Sequence, residues 1–207
     1  MTRLYIDKQE VASSLPSDLK SWGDVLSVVE KNHLSSDHVI RHVQIDGQPL
    51  VQSDRTICPD RIGLFGKIEI FTSSLREAAL DSIREANIFL ERVAAAIPCV
   101  SSSFRSRADL DDYENMKQFY EGFYWVNLLL DRLEHSFRIP FDSLRVDGVT
   151  AREHHLKLAG ILKKVIEAHE KQDFGLVADL LECEIAPLIP ISGNVLEAIR
   201  EHIGSQS

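Results

Sequence analysis

From Ala79 to Phe137 apolar side chains recur at spacings of three and four, and this regularity constrains the chain more than any other feature. Ala79, Ile83, Ala86, Leu90, Val93 and Ile97 are spaced 4-3-4-3-4, and Met116, Phe119, Phe123, Val126, Leu130, Leu133 and Phe137 are spaced 3-4-3-4-3-4. A helix turns once in ~3.6 residues, so each set lies on one face. Such stripes are stable only when they bury each other, which is the logic of a helix bundle. Ser74-Leu75-Arg76-Glu77 ahead of the first stripe reads as a capping box, in which hydroxyl and carboxylate each satisfy a free backbone N–H. Proline lacks an N–H, so Pro98 is predicted to stop the first helix, with a Ser/Arg-rich loop from Ser101 to Arg107. The second helix is predicted from about Ala108 to Phe137.

Thr150-Ala151-Arg152-Glu153 is a second capping box. It opens a third helix with Leu158, Ile161, Leu162, Val165 and Ile166 inward, reaching about Gln172. Asp173 is the expected cap of a fourth, carrying Val177, Leu180, Leu181 and Ile185. Pro190-Ile191-Ser192-Gly193 is expected to interrupt before a short last helix with Val195, Leu196, Ile199 and Ile203. Four main antiparallel helices joined by short links describe the bundle.

The first seventy-odd residues follow another period. Leu4-Tyr5-Ile6 is a short extended segment, and Glu10-Val11 is its return. Leu19, Trp22, Val25, Leu26 and Val29 fall at helical spacing behind Ser17 or Asp18 as cap. His38 to Ile45 is β-branched and roughly alternating, Asp46-Gly47 is a hairpin turn signal, and Gln48 to Val51 returns. Lys67-Ile68-Glu69-Ile70-Phe71 alternates as a final strand. The order is β-β-α-β-β-β.

That order, with Val43 to Leu50, Ser53 to Ile57 and Ile68 to Phe71, resembles a ubiquitin-like, or β-grasp, domain over about a third of the chain. The resemblance implies a β-grasp module over 1–73; with the helical stripes and the capping box at Ser74 behind it, the chain is expected to be α+β with two domains, the second an all-α antiparallel bundle over 74–207. It departs from the conjugated members at its end. They finish in a free Gly-Gly tail, whereas Phe71 here runs on into Thr72-Ser73-Ser74 and further chain. Alternation on the third strand puts His38, Ile40, His42 and Gln44 on one face, more polar than the patch by which ubiquitin is recognised. The bundle is distantly similar to export-chaperone bundles, an analogy of fold alone.

Composition sets limits on function. A formal net charge of -9 and no Lys/Arg cluster disfavour phosphate backbones and anionic lipid surfaces, so neither nucleic acid nor membrane is an expected partner. The start Met1-Thr2-Arg3-Leu4-Tyr5-Ile6-Asp7 reaches an acid before any apolar run, which fits a cytoplasmic chain. Cys58, Cys99 and Cys183 are widely spaced, with no CxxC, and are expected to be reduced thiols.

Candidate chemistry is sparse. No Glu-x-x-His occurs, so a di-iron bundle is not expected; no metal and no cofactor are called for. His154-His155 reads as a solvated helix start, and Asp131 with His135 as a helix-surface pair. Ile62-Gly63-Leu64-Phe65-Gly66-Lys67 lacks phosphate-loop spacing. The carboxylates of Glu182 and Glu184 disfavour a reactive thiol at Cys183. The aromatic cluster Phe119 to Trp125 stands out. Tyr120, Tyr124, Trp125 and Leu129 lie off the stripe and are the candidate interface residues, since Tyr and Trp combine large area with a polar tip. The expected function is a non-enzymatic, bacterial-type adaptor or scaffold, its partner another protein or a second copy of the chain. The alternative is a small-molecule binder or enzyme with a pocket between the two domains.

Overall fold

A computed structural model describes residues 2–11, 21–50, 65–106 and 112–205. The fold is α+β and divides into two compact units, Met1–Ala79 and Leu80–Ser207, each described by itself.

The first unit holds β1 (Arg3–Ile6), β2 (Gln9–Val11), α1 (Trp22–His33), β3 (His38–Ile45), β4 (Gln48–Pro49) and β5 (Lys67–Ser74). The five strands form one mixed sheet, ordered β2-β1-β5-β3-β4, with β1 parallel to β5 and the other pairs antiparallel. The Asp46-Gly47 turn joins β3 to β4 with φ of 49° and 82°, the left-handed geometry that asparagine, aspartate and glycine tolerate. The Asp46 carboxylate also accepts from the Lys67 N–H at 2.7 Å. Trp22, Val25 and Val29 of α1 pack with Leu4, Val43, Ile68 and Ile70, every one buried.

Three expectations for this unit need correction. The helix is capped by Ser21, whose hydroxyl accepts from Asp24 N–H, rather than by Ser17 or Asp18, which lie with Leu19 outside the described residues. β5 runs on to Ser74 instead of ending near Phe71, which moves its end past the expected junction at Thr72-Ser73. The reason is pairing: the Asp7 carboxylate accepts from Thr72 N–H and Oγ1, and β3 pairs as far as His38 with Ser74. These bonds hold the Asp7 carboxyl below the ordinary range. Third, the register slips between Ile40 and His42. A bulge re-aims side chains, so Ile40 joins the core and leaves the face on which His42 stacks on Phe71, ring centroids 4.2 Å apart. The expectations for Val51, Cys58 and Ser53 to Ile57 concern positions outside the described residues.

The remaining elements are α2 (Leu75–Ser106), α3 (Asp112–Phe137), β6 (Arg145–Val146), β7 (Val149–Thr150), α4 (Ala151–Glu170), α5 (Phe174–Leu180), a π-helical turn Leu181–Ile185, and α6 (Ala186–Ser205). Both capping boxes form: Glu77 N–H donates to Ser74 Oγ and Ser74 N–H to Glu77, and Thr150 and Glu153 exchange the same pair. Asp173 caps α5 by accepting from Leu176 N–H.

Both prolines expected to break helices lie inside them, Pro98 in α2 and Pro190 in α6. Each is exposed, so the carbonyl it leaves without a helical donor is on the solvent side. Contacts beyond each proline keep the helix together. Past Pro98, buried Phe104 stacks on Phe174 at 5.6 Å, and Arg105 bridges Asp179 and Glu182 at 2.9 and 2.7 Å. Ser101 to Ser106 are therefore helix, not loop. Past Pro190, Ser192, Val195, Leu196, Ile199 and Ile203 are buried.

Contact order gives the directions inside this unit. Phe89 meets Phe123 edge-on, Glu134 meets Arg152 while Tyr120 meets His169, and His154 meets Ser192 while His169 meets Phe174. Thus α3 and α4 run antiparallel, and so do α4 and the α5–α6 rod. The stripe residues of α2 from Ala79 to Ile97 are all buried, as are Met116, Phe123, Val126, Leu130 and Leu133 of α3. Gly122 lets α2 and α3 approach, since a Cβ there would sit 2.1 Å from the Phe89 ring. The β6–β7 hairpin, turned by Asp147-Gly148 with φ of 49° and 86°, has no counterpart in the predicted elements.

Candidate functional site

The candidate site is a groove between α3 and α4 with a volume of 540 Å³. Its α3 wall carries Tyr120, Tyr124 and Asn127, three or four residues apart and so on one face. Its α4 wall carries His155, Ala159, Leu162, Ile166 and Glu170 at the same repeat. The bundle needs only one stripe of each helix for its core, and this second stripe is left to line an opening.

Three side chains in the groove bury a polar atom that has no protein hydrogen-bond partner: Tyr120 Oη, Asn127 Oδ1 and His155 Nδ1. The Asn127 amide is held in place by its other end, where Nδ2 donates to the Phe123 carbonyl at 2.9 Å, and this leaves Oδ1 a buried acceptor without a protein donor. Burial, with the negative charge of Glu170 second, pushes the Tyr120 phenol above its ordinary range, so it is a neutral O–H donor. Burial likewise holds His155 below the ordinary histidine range, so its ring is neutral. A buried polar atom left unpaired costs about 1–3 kcal/mol. Three along one groove are a concentrated cost, of the kind a fold carries where something else supplies the missing bonds. The rim is wet and partly apolar: Tyr124 is 72% exposed and Ile166 40% exposed. Ile166 was expected inward; it faces this opening instead.

The candidate interface residues divide. Tyr120 and Tyr124 line the α3–α4 groove. Leu129 is buried in the core. Trp125 is half-buried and faces a different cleft of 620 Å³ with Phe89, Val93, Met116 and Phe119, between α2 and α3. His155 is one of the inward-facing polar groups that the pocket reading expects, and Asn127, which completes the groove, is not among the candidate residues. The available signal was spacing: Tyr120, Tyr124 and Asn127 fall at i, i+4 and i+7.

His154 corrects the expectation of a solvated helix start. It is 2% exposed, and its Nε2 lies 2.8 Å from Ser192 Oγ. The Ser192 hydroxyl donates to the Leu188 carbonyl at 3.0 Å, so the imidazole N–H is the donor in the other contact. A serine whose proton is already given to a carbonyl, beside a protonated ring nitrogen, is not an activated nucleophile. Burial lowers His154 to about 4. Asp131 and His135 pair at 3.8 Å on the exposed surface, as expected for a helix pair, and with Glu134 they gather ligand atoms within 4.8 Å of one another. Glu134 is committed to Arg152, and His135 Nδ1 sits 2.7 Å from the Asp131 carbonyl, so the cluster reads as surface electrostatics. Cys99 and Cys183 are free and exposed, and no helix among the described residues is long and apolar enough to cross a membrane.

The fold and groove define a chain built of a mixed-sheet module and a helical unit with a lined opening between two of its helices. Residues 81–190, more than half the chain, match the family model described as Domain of unknown function (DUF8042), and the chain belongs to that family. Residues 2–74 match the TP0873 N-terminal domain. No curated protein and no solved structure matches the chain.

Proposed function

We propose that this chain is a non-enzymatic adaptor, a ubiquitin-like β-grasp module followed by a helical bundle that recognises another protein through its α3–α4 groove. Support for the first module comes from the strand order β2-β1-β5-β3-β4, the parallel pairing of β1 with β5 and the packing of α1 on one face of the sheet. The observation that carries the binding role is the groove itself: three unpartnered polar atoms beneath an exposed Tyr124 and Ile166. Exposed aromatic and aliphatic side chains rimming satisfied-by-nothing polar groups are the makings of a recognition surface.

A small-molecule binder is the second reading, favoured by one observation: 540 Å³ lies within the usual range of ligand pockets, and His155 sits at one end of it.

Affinity capture from a lysate of the native host, with the wild type beside Tyr124→Ser/Ile166→Ser and a sheet-face control, Gln44→Ser, tests the adaptor reading. One defined protein is expected to co-purify with the wild type and the control. Its yield is expected to fall about fivefold or more in the groove variant, the scale of losing a ~1 kcal/mol contact or more. Equal recovery with all three proteins, or no defined partner, contradicts the proposal.

A further inference from the structure

We infer that the α2–α3 cleft is a second binding site, one that takes an uncharged, planar aromatic small molecule. It does not rest on the adaptor reading, because the cleft shares no lining residue with the α3–α4 groove. Its walls carry half-buried rings, Phe89 on α2 and Phe119 and Trp125 on α3. Val93, Ile97, Met116 and Leu181 also line it and are buried, so the cleft runs down to the core rather than across the surface. Three such rings around one opening are an apolar patch of the kind soluble domains seldom leave unused.

Depth and width favour a small molecule over a protein segment. At 620 Å³ the cleft lies within the usual range of ligand pockets. Within it α2 and α3 are in close contact, because the Phe89 ring lies against Gly122, where a Cβ would sit 2.1 Å from it. A helix with its side chains is about 10 Å across and cannot enter between two helices that already touch. A flat ring can. The far side of the cleft is fixed as well: Arg105 pairs with Glu182 at 2.7 Å, which ties the π-helical turn beginning at Leu181 to α2. Single π turns recur at functional sites.

The lining selects the chemistry. Phe89 and Phe119 both pack on buried Phe123, with centroids 5.4 and 4.7 Å apart, and are thereby held in fixed orientations. A planar aromatic guest that meets these rings and Trp125 gains about three- to tenfold over an aliphatic guest of equal area. No charge is selected: the exposed ionic groups lining the cleft are Arg92 and Glu121, one of each sign, with the amide of Gln118. A hydroxyl on the guest finds both donors and acceptors among them.

Saturation-transfer NMR on the full chain tests this with β-naphthol, with β-naphthoate and β-naphthylmethylamine as the charged arms and octanol as the aliphatic arm. β-Naphthol is expected to bind about threefold or more tightly than octanol, with no gain from either charge. Trp125→Ala is expected to weaken it by about tenfold. Ala96→Phe, at an exposed position of the cleft wall where the fold tolerates a larger side chain, is expected to plug the cleft and weaken it at least as much. In Cys58→Ser/Cys183→Ser, alkylation of exposed Cys99 in the cleft is expected to slow about fivefold once β-naphthol is at about four times its Kd. Octanol binding as well as naphthol, binding unchanged in Ala96→Phe, or Cys99 alkylation that ignores the guest overturns the inference. So does the absence of any binding; a light-scattering mass that halves in Trp125→Ala would then give the cleft to a second copy of the chain.

Discussion

Trp22→Ala is expected to abolish cooperative folding of the N-terminal unit near body temperature. Trp22 is fully buried at the start of α1 and is the largest side chain in a core otherwise made of Leu4, Val25, Val29, Val43, Ile68 and Ile70. Truncating a buried tryptophan costs about 3–5 kcal/mol through lost transfer energy and the cavity left behind. One term acts the other way: Trp22 Nε1 has no partner, and removing that N–H returns part of the cost. The loss is therefore expected at the low end of the range, near ~3 kcal/mol. A unit of this size has little more than that in reserve. Hydrogen exchange reads it directly, because amides of Leu4, Ile68 and Ile70 are expected to lose protection. Trp22→Phe, which keeps most of the volume, should lose far less. Retained protection in the alanine variant would mean that the sheet does not depend on α1 for its core.

Acidification is expected to destabilise the helical unit well before its carboxylates titrate. His154 has an unfolded value near 6.5 and a folded value of about 4, lowered by burial first and by His155 and Lys157 after it. Its folded value is depressed, so the unfolded chain takes up the proton that the folded chain refuses. Stability is then complete above about 6.5 and is lost as the pH falls towards about 4. At ~1.4 kcal/mol per pH unit the full loss is about 3 kcal/mol, of which about 2 kcal/mol appears between roughly pH 7 and 5. His155, also lowered, adds in the same direction. His135 is raised and acts oppositely, but it is exposed and contributes little. Asp7, Glu153, Glu182 and Glu197 are held below the ordinary carboxylate range by the hydrogen bonds they accept, so their losses fall below this window. Urea midpoints at the two pH values, with His154→Gln as control, measure the effect. The wild type should lose ground and the glutamine variant should stay nearly flat. A wild type equally stable at both values would place the imidazole in contact with water.

Much of the scaffold was legible because period and cap chemistry speak locally. The alternation of Lys67 to Phe71, the Asp46-Gly47 turn, the boxes at Ser74 and Thr150 and the cap at Asp173 each need only near neighbours. The errors came where distant contacts overrule local preference. Pro98 and Pro190 read as breaks, but Arg105 on Asp179 and Glu182, and the buried run after Ser192, carry the helices past them. The β3 bulge was invisible because it arises from pairing with β5, and it moved Ile40 to the core. His154 read as solvated because its cover, Ser192, is on another helix. The Asp147-Gly148 hairpin carries the same local turn signal as Asp46-Gly47, with closely matching left-handed φ values. For the groove, Tyr120 and Tyr124 are legible as aromatics off the stripe and His155 as a polar group the pocket reading needs, while Asn127 gains meaning only when α3 lies against α4.

On the proposed reading the groove keeps its unpaired polar atoms for a partner, and the thermal midpoint of Tyr120→Phe/Asn127→Leu without any ligand tests this most directly. If those atoms have no internal role, removing them relieves a cost of about 1–3 kcal/mol at each, set against about 1 kcal/mol for the Nδ2 bond to the Phe123 carbonyl that Asn127→Leu also removes, and the midpoint is expected to rise by a few degrees. A midpoint that falls by as much would show that both groups stabilise the folded chain by themselves, and the claim would be contradicted.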